Sequence, residues 1–233
     1  MIKDVTTYAT LVFDCDGVVL DSNRIKTEAF RTAAAPWGQD SAEELVSHHV
    51  ANGGVSRYAK FEYFIEHILP KHLPGGLPGR DGPRLDALLA AYTGAVRAGL
   101  SSCAVADGLS ALRAATPKAR WLIASGGDQA ELREIFAVRG LEWYFDGGIF
   151  GSPDPKSVIV GREIQSEKIT FPALFLGDSR LDHEVAEAFG LDFTFVYGWT
   201  EFADWRAYCA NNKIKHIASL ESMLSNSVDT SGH

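Results

Sequence analysis

Apolar residues fall into two patterns along this chain. Tyr8-Ala9-Thr10-Leu11-Val12-Phe13 is an unbroken run of strand formers that stops abruptly at Asp14-Cys15-Asp16-Gly17. Continuous rather than alternating hydrophobicity predicts a strand covered on both faces, as in a parallel sheet. Three similar runs follow much later, at Trp121–Ala124, Ala173–Leu176 and Phe193–Tyr197. Leu132, Ile135, Phe136 and Arg139 recur at helical spacing after the second run, and Val185, Ala186, Ala188 and Phe189 after the third. Strand and helix thus alternate from about residue 103 onward, the signature of a doubly wound α/β core.

Between the first strand and that core no strand is predicted. Ser22 to Ala35 reads as a helix, and Ser41-Ala42-Glu43-Glu44 reads as the capping-box start of another. Tyr58, Phe61, Ile65 and Ile68 form an apolar stripe, as do Leu85, Leu88, Leu89, Tyr92 and Val96. Residues 70–83 hold four of the nine prolines and four glycines, which predicts a loop. The division expected is therefore a core of residues 1–21 and 101–233 interrupted by a helical domain of residues 22–100. From about Ser225 the chain is polar and is expected to fray.

Composition narrows the classes. A net charge of −8 from 22 Lys+Arg against 30 Asp+Glu argues against nucleic acid or an anionic membrane as partner. The apolar stretch near the N-terminus is too short for a signal peptide or a membrane span. Three cysteines without a CxxC pair suit a reducing compartment, so a cytoplasmic location is expected.

Four polar features sit where apolar runs or their connections end, the edge at which open α/β sheets bind ligands. The first is Asp14-x-Asp16-Gly17, whose buried carboxylates repel each other unless a cation neutralises them. Magnesium suits such a pair, because it is held by one or two carboxylates with water and phosphate. A plain turn, with Gly17 supplying a positive φ, is the alternative. The second is Ser125-Gly126-Gly127-Asp128, a hydroxyl and bare amides that either bind an anion or cap a helix. The third is Lys156 after Pro155, placed at the positive end of a helix dipole and thus either facing anions or simply solvated. The fourth is Gly177-Asp178-Ser179-Arg180-Leu181-Asp182, whose two acids, four apart, share a helical face and either need cations or act as an N-cap with a first-turn Asp. No Walker loop, zincin pair or Gly-x-Ser-x-Gly elbow is present. His48 and His49, adjacent on a helix, point about 100° apart and make poor co-ligands.

In this order and spacing the four features resemble the haloacid dehalogenase superfamily, carried by Asp14-Cys15-Asp16-Gly17-Val18-Val19-Leu20-Asp21-Ser22, Ser125, Lys156, Gly177-Asp178 and Asp182. The resemblance implies a Rossmann-like doubly wound parallel sheet with an inserted all-helical cap, in the phosphoglycolate phosphatase and β-phosphoglucomutase branch. It implies a magnesium-dependent phosphatase acting on a small phosphorylated metabolite, such as a sugar phosphate, through an aspartyl-phosphate. Asp14 is then the nucleophile and Asp16 the general acid and base. Magnesium sits on Asp14, Asp178 and the Asp16 backbone carbonyl. Ser125, Gly126 and Lys156 hold the phosphoryl oxygens, and Asp182 orients Lys156 or a metal-bound water. An acid at Asp16 favours an alcohol leaving group, hence a phosphatase or a phosphomutase. Related β-phosphoglucomutases carry a His where Lys26 stands here, which favours the phosphatase; a non-catalytic ligand-binding member is the further alternative. In the cap, Asn52-Gly53-Gly54-Val55-Ser56-Arg57-Tyr58-x-Lys60 is a flexed turn before a basic helix start. From it Arg57, with Lys60, is expected to reach a second anionic or hydroxyl-rich part of the substrate; a surface Arg is the other reading.

Overall fold

A computed structural model describes residues 4–73 and 82–225. Most of the Pro- and Gly-rich loop expected at 70–83, the N-terminal Met1 to Lys3 and the polar tail after Ser225 lie outside the described residues. Six strands, β1 (Thr10–Phe13), β2 (Arg120–Asp128), β3 (Gly148–Ser152), β4 (Ala173–Gly177), β5 (Asp192–Val196) and β6 (Lys215–Ile217), form one sheet. Their order is 3-2-1-4-5-6 and every pairing is parallel. That is the order of a Rossmann-like doubly wound sheet. Sequence periodicity misses β3 and β6. The first is a Gly-Ile-Phe-Gly-Ser stretch with little strand propensity of its own, and the second is a three-residue edge strand. Both exist because a neighbouring strand supplies hydrogen-bond partners.

The continuous apolar runs do face two cores. Leu11, Phe13, Trp121, Ile123, Leu174 and Leu176 point into one cluster. It is covered by α6 (Leu109–Ala115) and α7 (Gln129–Val138). Val12, Leu122, Ala124 and Phe175 point to the other face, under α8 (Lys156–Gln165) and α9 (Arg180–Phe189). At the far end α10 (Trp205–Asn212) packs Trp205 and Cys209 on Phe195. A last turn, α11 (Ser222–Ser225), brings Met223 to the first cluster.

Between β1 and α6 the described chain is helical: α1 (Asn23–Ala34), α2 (Gln39–Ala51), α3 (Arg57–Tyr63), α4 (Leu69–His72) and α5 (Leu85–Ser102). α1 packs on α2 and α5, burying Phe30 with Phe61 and Tyr92. The capping box expected at Ser41 is not there. α2 starts two residues earlier, entered through Gly38 at φ +110, and the Ser41 hydroxyl donates back to the carbonyls of Trp37 and Gly38. The stripe expected at Ile65 is also displaced, so that Phe64 is buried instead. A π-helical turn at Phe64–Ile68 causes the shift. Pro70 explains it, because a proline has no N–H to bond the carbonyl four residues back. Among the described residues no helix is long and apolar enough to cross a membrane.

Candidate active site

Sheet register puts the chemistry on one edge. Phe13 pairs with Ile123 on one side and Leu176 on the other, so Asp14 and Asp178, just beyond their strands, emerge beside Ser125 in the last part of β2. Gly17 has φ +76, and a Cβ there would stand 2.2 Å from Asp178 Oδ2. Only glycine lets the Asp14–Gly17 turn come so close to the end of β4.

Lys156, the first residue of α8, is wholly buried between two carboxylates, its Nζ 2.9 Å from Asp14 Oδ2 and 2.5 Å from Asp182 Oδ1. Burial alone would push its ammonium down, but Asp14 and Asp182 raise it well above the usual lysine range. Asp182 is itself immobilised by a capping box, its Oδ2 accepting from the Ser179 N–H and hydroxyl at 3.1 and 2.6 Å. The capping box is real, but it lies in α9 rather than α2. Pro155 is the N-cap of α8 rather than its first helical residue, a shift of one position.

Asp14, Asp178 and Asp182 each present a carboxylate oxygen within 4.8 Å of the others. Burial pushes Asp14 up to about 7 despite the pull of Lys156. Burial, then Asp14 and Asp182, raise Asp178 well above the usual carboxylate range. Among the described residues, the side-chain donor to the Asp178 carboxylate is the Asn23 amide, at 2.8 Å. Lys156 satisfies Asp14 and Asp182, so the repulsion left over centres on Asp178. A hard divalent cation bound by oxygen ligands fits that imbalance.

Asp16 points elsewhere. Its Oδ2 accepts from Lys26 Nζ at 2.6 Å and its Oδ1 from the Ser22 hydroxyl at 2.6 Å. Burial works against its charge, yet Lys26 and Ser22 hold it below the usual carboxylate range. Its carboxylate is therefore outside the acidic cluster, and only its main chain is free for a metal. Ser125 is buried, its Oγ accepting from the Gly127 N–H at 3.0 Å, and the cap of α7 is Asp128 rather than Ser125.

The helical segment closes over this edge. A cavity of about 320 Å³ is lined from the core by Asp14, Asp16, Gly126 and Asp178, and from the helices by Lys26, His49, Arg57 and Lys60. Ser125, Lys156 and Asp182 are buried next to these lining residues, Lys156 on Asp14 and Ser125 beside Gly126. Contact between the walls is close, since a Cβ on Gly126 would meet the Gly54 carbonyl oxygen at 2.1 Å. The first turn of α7 ties them together. Arg57 pairs with Glu131, Arg57 also donates to Thr93 at 3.2 Å, and the Tyr58 hydroxyl donates to Asp128 at 2.7 Å.

The model of the haloacid dehalogenase-like hydrolase family matches residues 8–194. The chain belongs to that family. No curated protein matches it in sequence. Among solved structures, a predicted phosphatase from Clostridium acetobutylicum is similar with a TM-score of 0.70 at 17% identity, covering 95% of this chain and 99% of that one. A predicted phosphoglycolate phosphatase from Haemophilus somnus gives 0.71 at 15% identity, covering 94% and 98%. CbbY from Rhodobacter sphaeroides, in complex with phosphate, gives 0.62 at 18% identity, covering 93% and 96%. At these identities the likeness is one of fold. The doubly wound core and the family are thus as the sequence predicts.

Asn23 and Phe30 escape the sequence reading, and Lys26 enters it only as the residue standing where related mutases carry a His. All three line the cavity and recur at i, i+3 and i+7, one face of α1. His49 lines it too, whereas His48 turns away and stacks on Tyr63 at 3.9 Å between ring centres.

Proposed function

We propose that this hydrolase is a magnesium-dependent phosphatase that removes phosphate from a small phosphomonoester through an aspartyl-phosphate on Asp14. The observation that carries the reading is the buried Asp14–Lys156–Asp182 chain beside an uncompensated Asp178, with a second acid, Asp16, held apart on Lys26. Lys156 favours the ionised form of Asp14, and an Asp14 oxygen attacks phosphorus as the ester P–O bond breaks. The departing alkoxide takes its proton from the Asp16–Lys26 pair. Asp16 then accepts a proton from the water that attacks phosphorus, releasing phosphate and restoring Asp14. Ser125, the Gly126 amide and Lys156 receive the phosphoryl oxygens. Magnesium held by Asp14, Asp178 and the Asp16 carbonyl would supply charge neutralisation at those oxygens.

Residues 22–100 act in this reading as a cap over a core of 1–21 and 101–233, in the cytoplasm. Arg57 serves first as the clasp between them, because its guanidinium is occupied by Glu131 and Thr93. A phosphate-release screen over phosphomonoesters, with and without magnesium, tests the mechanism. Asp14→Asn should lower kcat by about 10⁴-fold or more. Isomerisation without release would make the protein a phosphomutase, and no turnover at all a binding protein. Activity that survives both Asp14→Asn and EDTA would overturn the mechanism.

A further inference from the structure

Four cationic side chains are buried among the described residues: Lys26, Arg57, Lys60 and Lys156. Three face carboxylates: Lys26 on Asp16, Arg57 on Glu131, and Lys156 on Asp14 and Asp182. Lys60 is 2% exposed and has no such partner. Its Nζ lies 2.7 Å from His49 Nδ1 and 5.6 Å from the centre of the Phe30 ring. Burial, then Lys60 itself, push His49 well below the usual histidine range, so the neutral imidazole accepts a hydrogen bond from the ammonium through Nδ1. One positive charge is thereby left uncompensated on a wall of aromatic rings, facing the cavity that also holds Asp14 and Asp178.

A buried charge without a counter-ion is costly, and a ligand that brings the opposite charge removes the cost. Among the buried side chains that line it, the cavity has one acid in excess, Asp178, and one cation in excess, Lys60; Arg180 and Glu184, which also line it, are exposed. The first fits a metal ion, and the second fits an anion. We propose that Lys60, seated on His49, receives a second anionic group of the substrate, so that the site selects small phosphomonoesters carrying a carboxylate or a second phosphate. This rests on the phosphatase reading of the strand-end site. Arg57 is less suited to the task, because its guanidinium already pairs with Glu131. The small cavity keeps such a substrate to metabolite size.

Two matched pairs of esters test the assignment: ethyl phosphate against phosphoglycolate, and propyl phosphate against 1,3-propanediol bisphosphate. Wild-type protein should favour the doubly anionic member of at least one pair by about tenfold or more in kcat/KM. The favoured pair tells carboxylate from phosphate. In Lys60→Met, of similar length and apolar, that ratio should fall to within about threefold of unity, mainly through KM. The thermal midpoint of this variant without ligand should rise by about 3 °C, since an unpaired buried charge is gone. A wild type with no preference, or a variant that loses activity on all four esters with the ratio intact, overturns the proposal. Should no ester be turned over, the phosphatase reading fails separately. Calorimetric titration with phosphonoacetate then decides on Lys60: tighter binding to wild type than to Lys60→Met upholds it, and equal binding overturns it.

Discussion

Two buried lysines, one on the core side of the cavity and one on its helical side, are driven in opposite directions by their surroundings. Lys156 sits at the start of α8 between Asp14 and Asp182, and its ammonium is raised above the normal range. Lys60 sits in α3 against neutral His49 and Phe30, and burial, with repulsion from Lys26, pushes it down to about 7. The core wall carries its own counter-charges at positions set by sheet register and a capping box. In the proposed mechanism it is the wall preorganised for the group transferred in every turnover. The helical wall leaves a charge open, as suits a surface that discriminates between ligands.

The largest test of that contrast is Lys156→Met. Removing the partner of two buried carboxylates should destabilise the protein by about 3 kcal/mol or more in chemical denaturation. It should also lower kcat by about 10³-fold. If Lys156→Met and Lys60→Met shifted stability in the same direction, the contrast between the two walls would be wrong. Next is the contact between the walls. Gly126→Ala puts a methyl group where the Gly54 carbonyl lies. It should lower kcat/KM by about 10- to 100-fold while leaving the unfolding midpoint of the core unchanged. The smallest effect is one of pH. Lys60 loses its proton near 7 when folded and near 10.4 when unfolded. Between those values the unfolded chain binds more protons, so stability rises with pH. The penalty of the buried ammonium is full below pH 7 and fades toward pH 10. The midpoint of the wild type should therefore approach that of Lys60→Met as pH rises through this window, by about 2–4 °C for each kcal/mol relieved. A constant gap would show that Lys60 is not the group responsible.

Much of the core was readable along the chain, because two-sided burial forces continuous apolar runs. The runs ending at Phe13, Ala124 and Leu176 are each followed by polar residues that the folded sheet gathers on one edge. Glycine-rich β3 and three-residue β6 were not readable, since they are strands only through their neighbours. The misplaced capping box has the same root. Ser41-x-x-Glu44 and Ser179-x-x-Asp182 look alike as strings, and Gly38 at positive φ and the burial of Asp182 beside Lys156 separate them.

By itself, then, the sequence determined the doubly wound architecture and the helical insertion after β1, and it offered Asp14, Asp16, Ser125, Lys156, Asp178 and Asp182 as candidates for the site. These follow from local periodicity and from polar residues placed where strands must end. Only tertiary structure decided which charges are paired. Asp16 meets Lys26, Arg57 meets Glu131, and Lys60 meets no carboxylate among the described residues. Pairing depends on distances between side chains far apart in the chain, and on a desolvation that no residue carries until the helices close over the sheet.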